Sequence, residues 1–180
     1  MRQEGARMVS FDVEQATKEL MVWVAEVNKG EAPLFLHEQV EPNKERRTQV
    51  LVTKADMVFG KDHIRTALYH AKKAMAEGRN ASESLALETL LYAAGERQLN
   101  SALKKMTVDD ETSEVVIAKL SEGAFKPKAT WKPLPDRIEN PLRDGLLKFG
   151  LTEKELATLG DKHPIELVLE KVAAVDVLKK

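Results

Sequence analysis

Ser82 to Met106 reads SESLALETLLYAAGERQLNSALKKM, and its division at Gly95 decides the fold. Before the glycine, Leu87, Leu90, Leu91 and Ala94 recur at helical spacing on one face, with Leu85 and Tyr92 near the opposite face. A helix that is apolar on both faces is buried on both, so Leu85 to Ala94 is expected as the central helix. After the glycine, Leu99, Ala102, Leu103 and Met106 make one narrow apolar stripe, and Arg97, Ser101 and Lys104 line the face opposite. This second helix is expected on the surface with the polar stripe outward. Gly95 falls where the chain leaves a helix through a left-handed residue, a position glycine takes without a Cβ penalty. The turn leaves the first N–H groups of the second helix unpaired, beside Arg97 and Gln98.

Outward from this stretch, Ile64, Ala67, Leu68, Ala71 and Met75 give the inner stripe of a helix from about Lys61 to Glu77, closed by Gly78. Asn80 with Glu83 fits a capping box for the central helix. Glu114 to Leu120 and Gln49 to Phe59 are apolar and β-branched, as strands are. Arg7 to Val13 alternates and predicts a first strand. Val13 to Asn28, with Ala16, Leu20, Trp23, Val24 and Val27 at helical spacing, predicts a helix. Pro33 to Val40 reads as a strand and Glu41 to Arg47 as a charged loop. Residues 123–136 are proline-rich, basic and aromatic, and predict an irregular loop within the region 123–141. Pro141 to Gly150 and Thr152 to Gly160 are short helices, the second capped by Thr152 with Glu155. Pro164 opens the last helix, where its missing N–H does no harm, and Ile165, Val168, Leu169 and Val172 face inward. Ala173 to Leu178 fits either a helix or a strand. Interleaved strands and helices predict an α/β or α+β fold. We expect one domain over residues 1–180, a mixed β-sheet packed by helices around the central buried helix.

The bulk composition narrows the chemistry. The 180 residues carry a net charge of -1, so no global field draws nucleic acid or anionic membrane, and any such contact comes from a local patch. There is no cysteine, hence no disulfide, thiolate nucleophile or Cys zinc site. No signal-like leader or membrane-length apolar run occurs, and a cytoplasmic location is expected. Asn80-Ala81-Ser82 matches a glycosylation sequon, but Asn80 is better used as a helix cap.

No nucleotide-binding, metalloprotease or nucleophile-elbow motif is present. His63 and His70 sit two turns apart on one helix, too far for one metal, and neither a metal nor a cofactor is expected. Glu88, on the buried helix, needs a partner if ionised, and a structural ion pair outweighs a general acid because no second catalytic group accompanies it. Two basic features remain. One is the Arg97, Ser101, Lys104 stripe with Gln98 at its flank. The other is the loop with Lys126, Lys128, Trp131 and Lys132. Composition alone favours solvated faces for both, yet cations beside an aromatic also suit single-stranded nucleic acid.

KDHIRTALYHAKKAMAEGRNASESLALETLLYAAGERQLNSALKKM resembles the core signature of the PRPK-binding protein family, the small accessory subunit of the KEOPS complex. In that family a helix ends in an Ala-Ser-Gly-like turn before an Arg-Gln-Ile-like helix start; here it reads Ala94-Gly95-Glu96-Arg97-Gln98-Leu99. FGLTEKELATLG and ELVLEKVAAVDV resemble the family's ending, and the archaeal members are the nearer match. The proline-rich stretch from Pro127 to Pro141 departs from the family pattern. The resemblance implies a non-enzymatic protein. It would dock on and stimulate the kinase/ATPase subunit of a complex that makes threonylcarbamoyladenosine in tRNA, and would hold the 3′ CCA end of tRNA. It would place the tRNA end at Gly95, Arg97, Gln98 and Lys104, with Lys61 and His63 from the neighbouring helix start. Leu167 and Ala174, opposite the inner stripe of the last helix, are expected to meet the kinase. The alternatives are an adaptor that binds the kinase and no RNA, and an enzyme with a pocket near Glu88 and His63.

Overall fold

The computed structural model describes residues 12–45 and 48–179, the side chains of 42–45 excepted. Along the chain run α1 (Val13–Thr17), β1 (Met21–Glu26), α2 (Ala32–Glu45), β2 (Val50–Lys54) and a short 3-10 turn, Ala55–Met57. Then follow α3 (Lys61–Ala76), α4 (Leu85–Ala93), α5 (Leu99–Met106), β3 (Glu114–Lys119), β4 (Lys132–Pro133), α6 (Arg143–Phe149), α7 (Glu153–Ala157) and α8 (Ile165–Leu178). The sheet has the order β2-β3-β1-β4. Every pair in it is antiparallel, so the mixed sheet resolves to an antiparallel one and the class to α+β.

The strands β1, β2 and β3 are buried on both faces, and this shapes the whole molecule. Val22 of β1, Leu51 of β2 and Val116 and Ala118 of β3 turn to the layer formed by α3, α4, α5 and α8. Their neighbours Trp23, Ala25, Val50, Val52, Val115 and Ile117 turn to the other side, under α2 and the loop carrying Phe125 and Trp131. Alternation along a strand places successive side chains on opposite faces, and both faces here are covered. In the helical layer α4 is the buried element: Leu90, Leu91, Tyr92 and Ala93 are all but inaccessible. Burying a large apolar side chain contributes about 1.5–3 kcal/mol, so this short helix anchors the layer by packing rather than by length. A third cluster, around Phe59, Leu146, Phe149, Leu151, Ile165 and Val168, ties α6 and α8 to the segment that leads into α3.

Several expectations give way. Val13 to Asn28 is not one helix: α1 ends at Thr17 and β1 begins at Met21. Val22, Trp23 and Val24 are residues that fit a pleated surface, and burial on both faces makes consecutive apolar residues that mimic helical spacing. Pro33 to Val40 is not a strand but the first part of α2, which turns Ala32, Phe35 and Leu36 inward at i, i+3 and i+4. Pro33 lies in the first helical turn, where proline is tolerated. The charged loop at Glu41 to Arg47 is helical up to Glu45. The strand expected at Arg7 to Val13 falls outside the described residues up to position 11, and its end caps α1 through Asp12. Asn80 does not cap α4. Ser84 does, its side chain accepting from the Leu87 N–H, while the Asn80 amide donates to the Ser82 carbonyl. The Pro-rich stretch is irregular except for β4, which pairs with Trp23 and Val24. Ala173 to Leu178 is helix, the end of α8. The Thr152–Glu155 capping box forms as expected.

Candidate functional site

Gly95 has φ 65, the left-handed conformation expected of it. Its N–H donates to the Tyr92 carbonyl (2.9 Å) and the Glu96 N–H reaches back to the Leu91 carbonyl (3.3 Å). These are the two bonds of a Schellman motif, which satisfy carbonyls left over at a helix end. The chain then turns through the exposed residues Arg97 and Gln98 into α5. Gln98 is the N-cap of α5 but makes no side-chain capping bond, so its amide is not used by the helix.

Arg97 and Lys104 are exposed and Ser101 half-buried, so the polar stripe does point outward. Behind the turn stands a lysine that sequence reasoning missed. Lys105 donates to the Ala94 carbonyl at 2.7 Å, lies 3.3 Å from a Glu96 carboxylate oxygen, and holds its ammonium 4.3 Å from the centre of the Phe149 ring. Burial lowers the pKa of this ammonium, with Glu96 acting the other way. The turn also rests against α8. A Cβ built on Gly95 would stand 3.6 Å from both Lys171 Cβ and Phe149 Cζ. Lys171 in turn pairs with Glu155 at 3.2 Å. Lys105 and Lys171 carry no local sequence signal, because their roles depend on α6 and α8 folding back beside the turn. The arrangement presents two exposed cations, one free amide and the start of a helix, whose N–H groups and dipole favour an anion.

Other residues expected at this site stand elsewhere. His63 is fully buried: its Nδ1 accepts from the Phe59 N–H at 3.3 Å and its Nε2 lies 2.8 Å from the Ala93 carbonyl. Burial lowers its pKa from 6.5 to about 4; the Ala93 carbonyl opposes that shift and Lys105 adds to it. The ring is therefore a neutral bridge between helices and has no surface to offer RNA, which corrects its place in the binding set. Lys61 lines an open cleft with Asp12, Val13, Glu14, Lys18 and Arg65 against α1, and no residue of the Gly95 turn lines that cleft. His70 is not a free surface residue either: it lies 2.6 Å from an Asp176 oxygen, the same carboxylate to which the Tyr92 hydroxyl donates. Trp131 is 7% exposed, packed among Trp23, Phe35 and Phe125, so it cannot stack on a base.

Glu88 forms the structural ion pair expected, with Lys179, and accepts the Ala81 and Ser82 N–H groups at 2.9 and 3.0 Å. Glu88 and His63 are each sealed from solvent with different partners, so they do not make a common pocket. Leu167 and Ala174 are half-buried, Leu167 against the Phe59–Phe149 cluster. They share a helical face with Lys171 and Leu178, at i, i+4, i+7 and i+11, and the face opens toward its end, where Leu178 is 50% exposed. Among the described residues no group of three or more His, Asp or Glu side chains could hold a metal ion, and no helix is long and apolar enough to cross a membrane.

Residues 27–161, from the end of β1 through α7, match the family model of the kinase binding protein CGI-121. The chain is also 22% identical, over 114 residues, to a protein named EKC/KEOPS complex subunit CGI121 from Coccidioides immitis (strain RS). That alignment covers 63% of this chain and 53% of the relative, so the chain spans about half the length of the curated protein it matches. The match to the family model runs through β2, β3 and β4, the buried helix α4 and the Gly95 turn, and the chain belongs to the CGI-121 family of kinase binding proteins.

Proposed function

We propose that this chain is a non-catalytic subunit of a KEOPS-type complex for tRNA threonylcarbamoylation. In this reading it docks on and stimulates the kinase/ATPase subunit, and recruits tRNA by its 3′ CCA end. The observation that carries the RNA part is the Gly95 turn. Arg97 and Lys104 are exposed there, with no ion-pair partner among the described residues, beside the uncommitted Gln98 amide. Single-stranded RNA offers phosphates, ribose hydroxyls and open base edges, which proteins read with such groups. With His63 sealed in the core and Lys61 in another cleft, the RNA set contracts to Gly95, Arg97, Gln98 and Lys104, with Lys105 holding the turn from behind. Kinase docking is supported by the family and by the outer face of α8, whose exposed end at Val177 and Leu178 extends the Leu167–Ala174 stripe.

A gel shift with intact tRNA and with tRNA lacking the CCA end tests the reading. A few phosphate contacts imply binding that weakens steeply with salt. Arg97→Ala is expected to weaken intact tRNA by about 1–3 kcal/mol, the worth of a charged hydrogen bond left unmade, and to leave kinase binding unchanged. Equal binding of both tRNAs by both proteins would move the RNA site off the Gly95 turn, and binding of neither tRNA would remove the RNA role. The kinase adaptor would then be the surviving reading, one already favoured by the small number of free cations at the turn.

A further inference from the structure

A groove of about 840 Å³ opens on the side of the sheet covered by α2, across the sheet from the layer that holds α4. One wall is α2, where the exposed Glu31, Leu34 and Glu38 flank the half-buried Phe35: the four follow one another at i, i+3, i+4 and i+7, and all line the groove. The Glu31 carbonyl accepts from the Phe35 N–H at 2.9 Å, so this residue continues the helical stripe although it precedes the first full turn. The floor is the end of the β1–β3 ladder, where Glu26 and Glu114 are paired across the strands. The far wall is the loop carrying Lys128, Thr130 and Trp131.

Three features of this groove point the same way. Its lining carries four glutamates, Glu26, Glu31, Glu38 and Glu114, against the single lysine Lys128. Like charges placed opposite each other on a ladder destabilise it, yet Glu26 and Glu114 occupy its last rung with no cation partner among the described residues. Leu34 is 59% exposed. Phe35 already carries a cation on its ring, the Lys128 ammonium 5.6 Å from its centre; an aromatic face attracts ammonium and guanidinium groups through its quadrupole. A surface of this kind repels polyanions and favours cations spaced around an apolar group.

We propose that this groove docks a basic segment of a partner protein, with its cations on the glutamates and the Phe35 ring and an aliphatic anchor against Leu34. The inference stands apart from the RNA and kinase readings, since it uses none of their residues.

The test uses fluorescein-labelled peptides RKLRKLRK and RKSRKSRK with the full chain, read by fluorescence anisotropy at low salt. The leucine peptide is expected to bind more tightly than the serine peptide. Glu31→Arg with Glu38→Arg should weaken it about tenfold, given the modest worth of each exposed ion pair and its reversal. Leu34→Ser should erase the preference for leucine. Glu170→Arg, an exposed acid on α8, should change nothing. All substituted side chains are exposed, and thermal melts check that each variant folds. The proposal is overturned if the unaltered chain binds neither peptide, if it binds both equally, or if Glu170→Arg weakens binding as much as the α2 variant.

Discussion

The Nε2 of His63 lies 2.8 Å from the Ala93 carbonyl, so a single buried imidazole joins the first turn of α3 to the last residue of α4. Its other nitrogen takes the Phe59 N–H, and its ring stacks on Phe59 and meets the edge of Phe149. Both ring nitrogens are thus committed in the neutral state.

This bridge gives the fold a pH dependence of known sign. The folded pKa of His63, about 4, lies below its ordinary 6.5. The unfolded chain therefore binds the proton first as pH falls. The stability that neutral His63 contributes is fully present above about pH 6.5 and is lost as pH falls toward 4, on the order of 3 kcal/mol in all. Urea unfolding at several pH values across that window should show the decline in the unaltered chain and a shallower one in His63→Phe, which cannot protonate. Parallel declines in the two proteins would mean that His63 is not the group responsible.

Two glycines should differ in cost for a structural reason. Gly95 needs positive φ but has room for a Cβ, with neighbours at ordinary contact distance. Gly95→Ala is expected to cost about 1 kcal/mol, the strain of an L-residue in that region. Gly60 has φ 126, and a Cβ there would stand 2.3 Å from the Asp136 carbonyl oxygen, in the segment whose backbone meets the start of α3. Gly60→Ala must move that backbone and should be clearly the more damaging of the two in chemical denaturation. The reverse order would contradict the close packing of this segment on Gly60.

The same residues show what can be read without a structure. The Gly95 turn and α4 were legible because a helix apolar all round, ended by glycine, has few other readings. β1 was not, because a strand covered on both faces has no polar alternation to separate it from a buried helix. The cap of α4, expected at Asn80, was not legible either. It is decided by the Glu88 carboxylate, which takes the Ala81 and Ser82 N–H groups from within the helix and leaves the cap to Ser84. At the site, the outward direction of Arg97 and Lys104 followed from the stripe opposite Leu99 and Met106. The supports, Lys105 and Lys171, and the removal of His63, follow from contacts between elements distant in sequence.

For kinase docking, position along α8 matters. Leu167 is packed against the Phe59–Phe149 cluster, so Leu167→Glu is expected to lower the melting temperature as well as any affinity, because it buries an unpaired charge. Leu178 is on the same face and half exposed. Leu178→Glu should leave the melt nearly unchanged and reduce co-purification with the kinase subunit. Full kinase binding by a well-folded Leu178→Glu would move the docking surface off this face of α8.

The end of α8 is itself held by a buried charge. Glu88 is sealed from solvent and pairs with Lys179 just after the last helical residue, and the Lys179 ammonium also stands 4.7 Å from the centre of the Tyr92 ring. One turn earlier, Asp176 takes the Tyr92 hydroxyl at 2.6 Å and pairs with His70 and Arg79. Removing one member of a buried pair leaves the other charge without compensation, at a cost of about 3–5 kcal/mol, whereas removing both can approach neutrality. Lys179→Met should therefore destabilise strongly. Adding Glu88→Gln to it should restore part of the loss, since an amide oxygen can still accept the Ala81 or Ser82 N–H. A double-mutant cycle in urea measures this directly. If the two losses simply add, Lys179 and Glu88 are not coupled in solution, and the end of α8 is held by Asp176 alone.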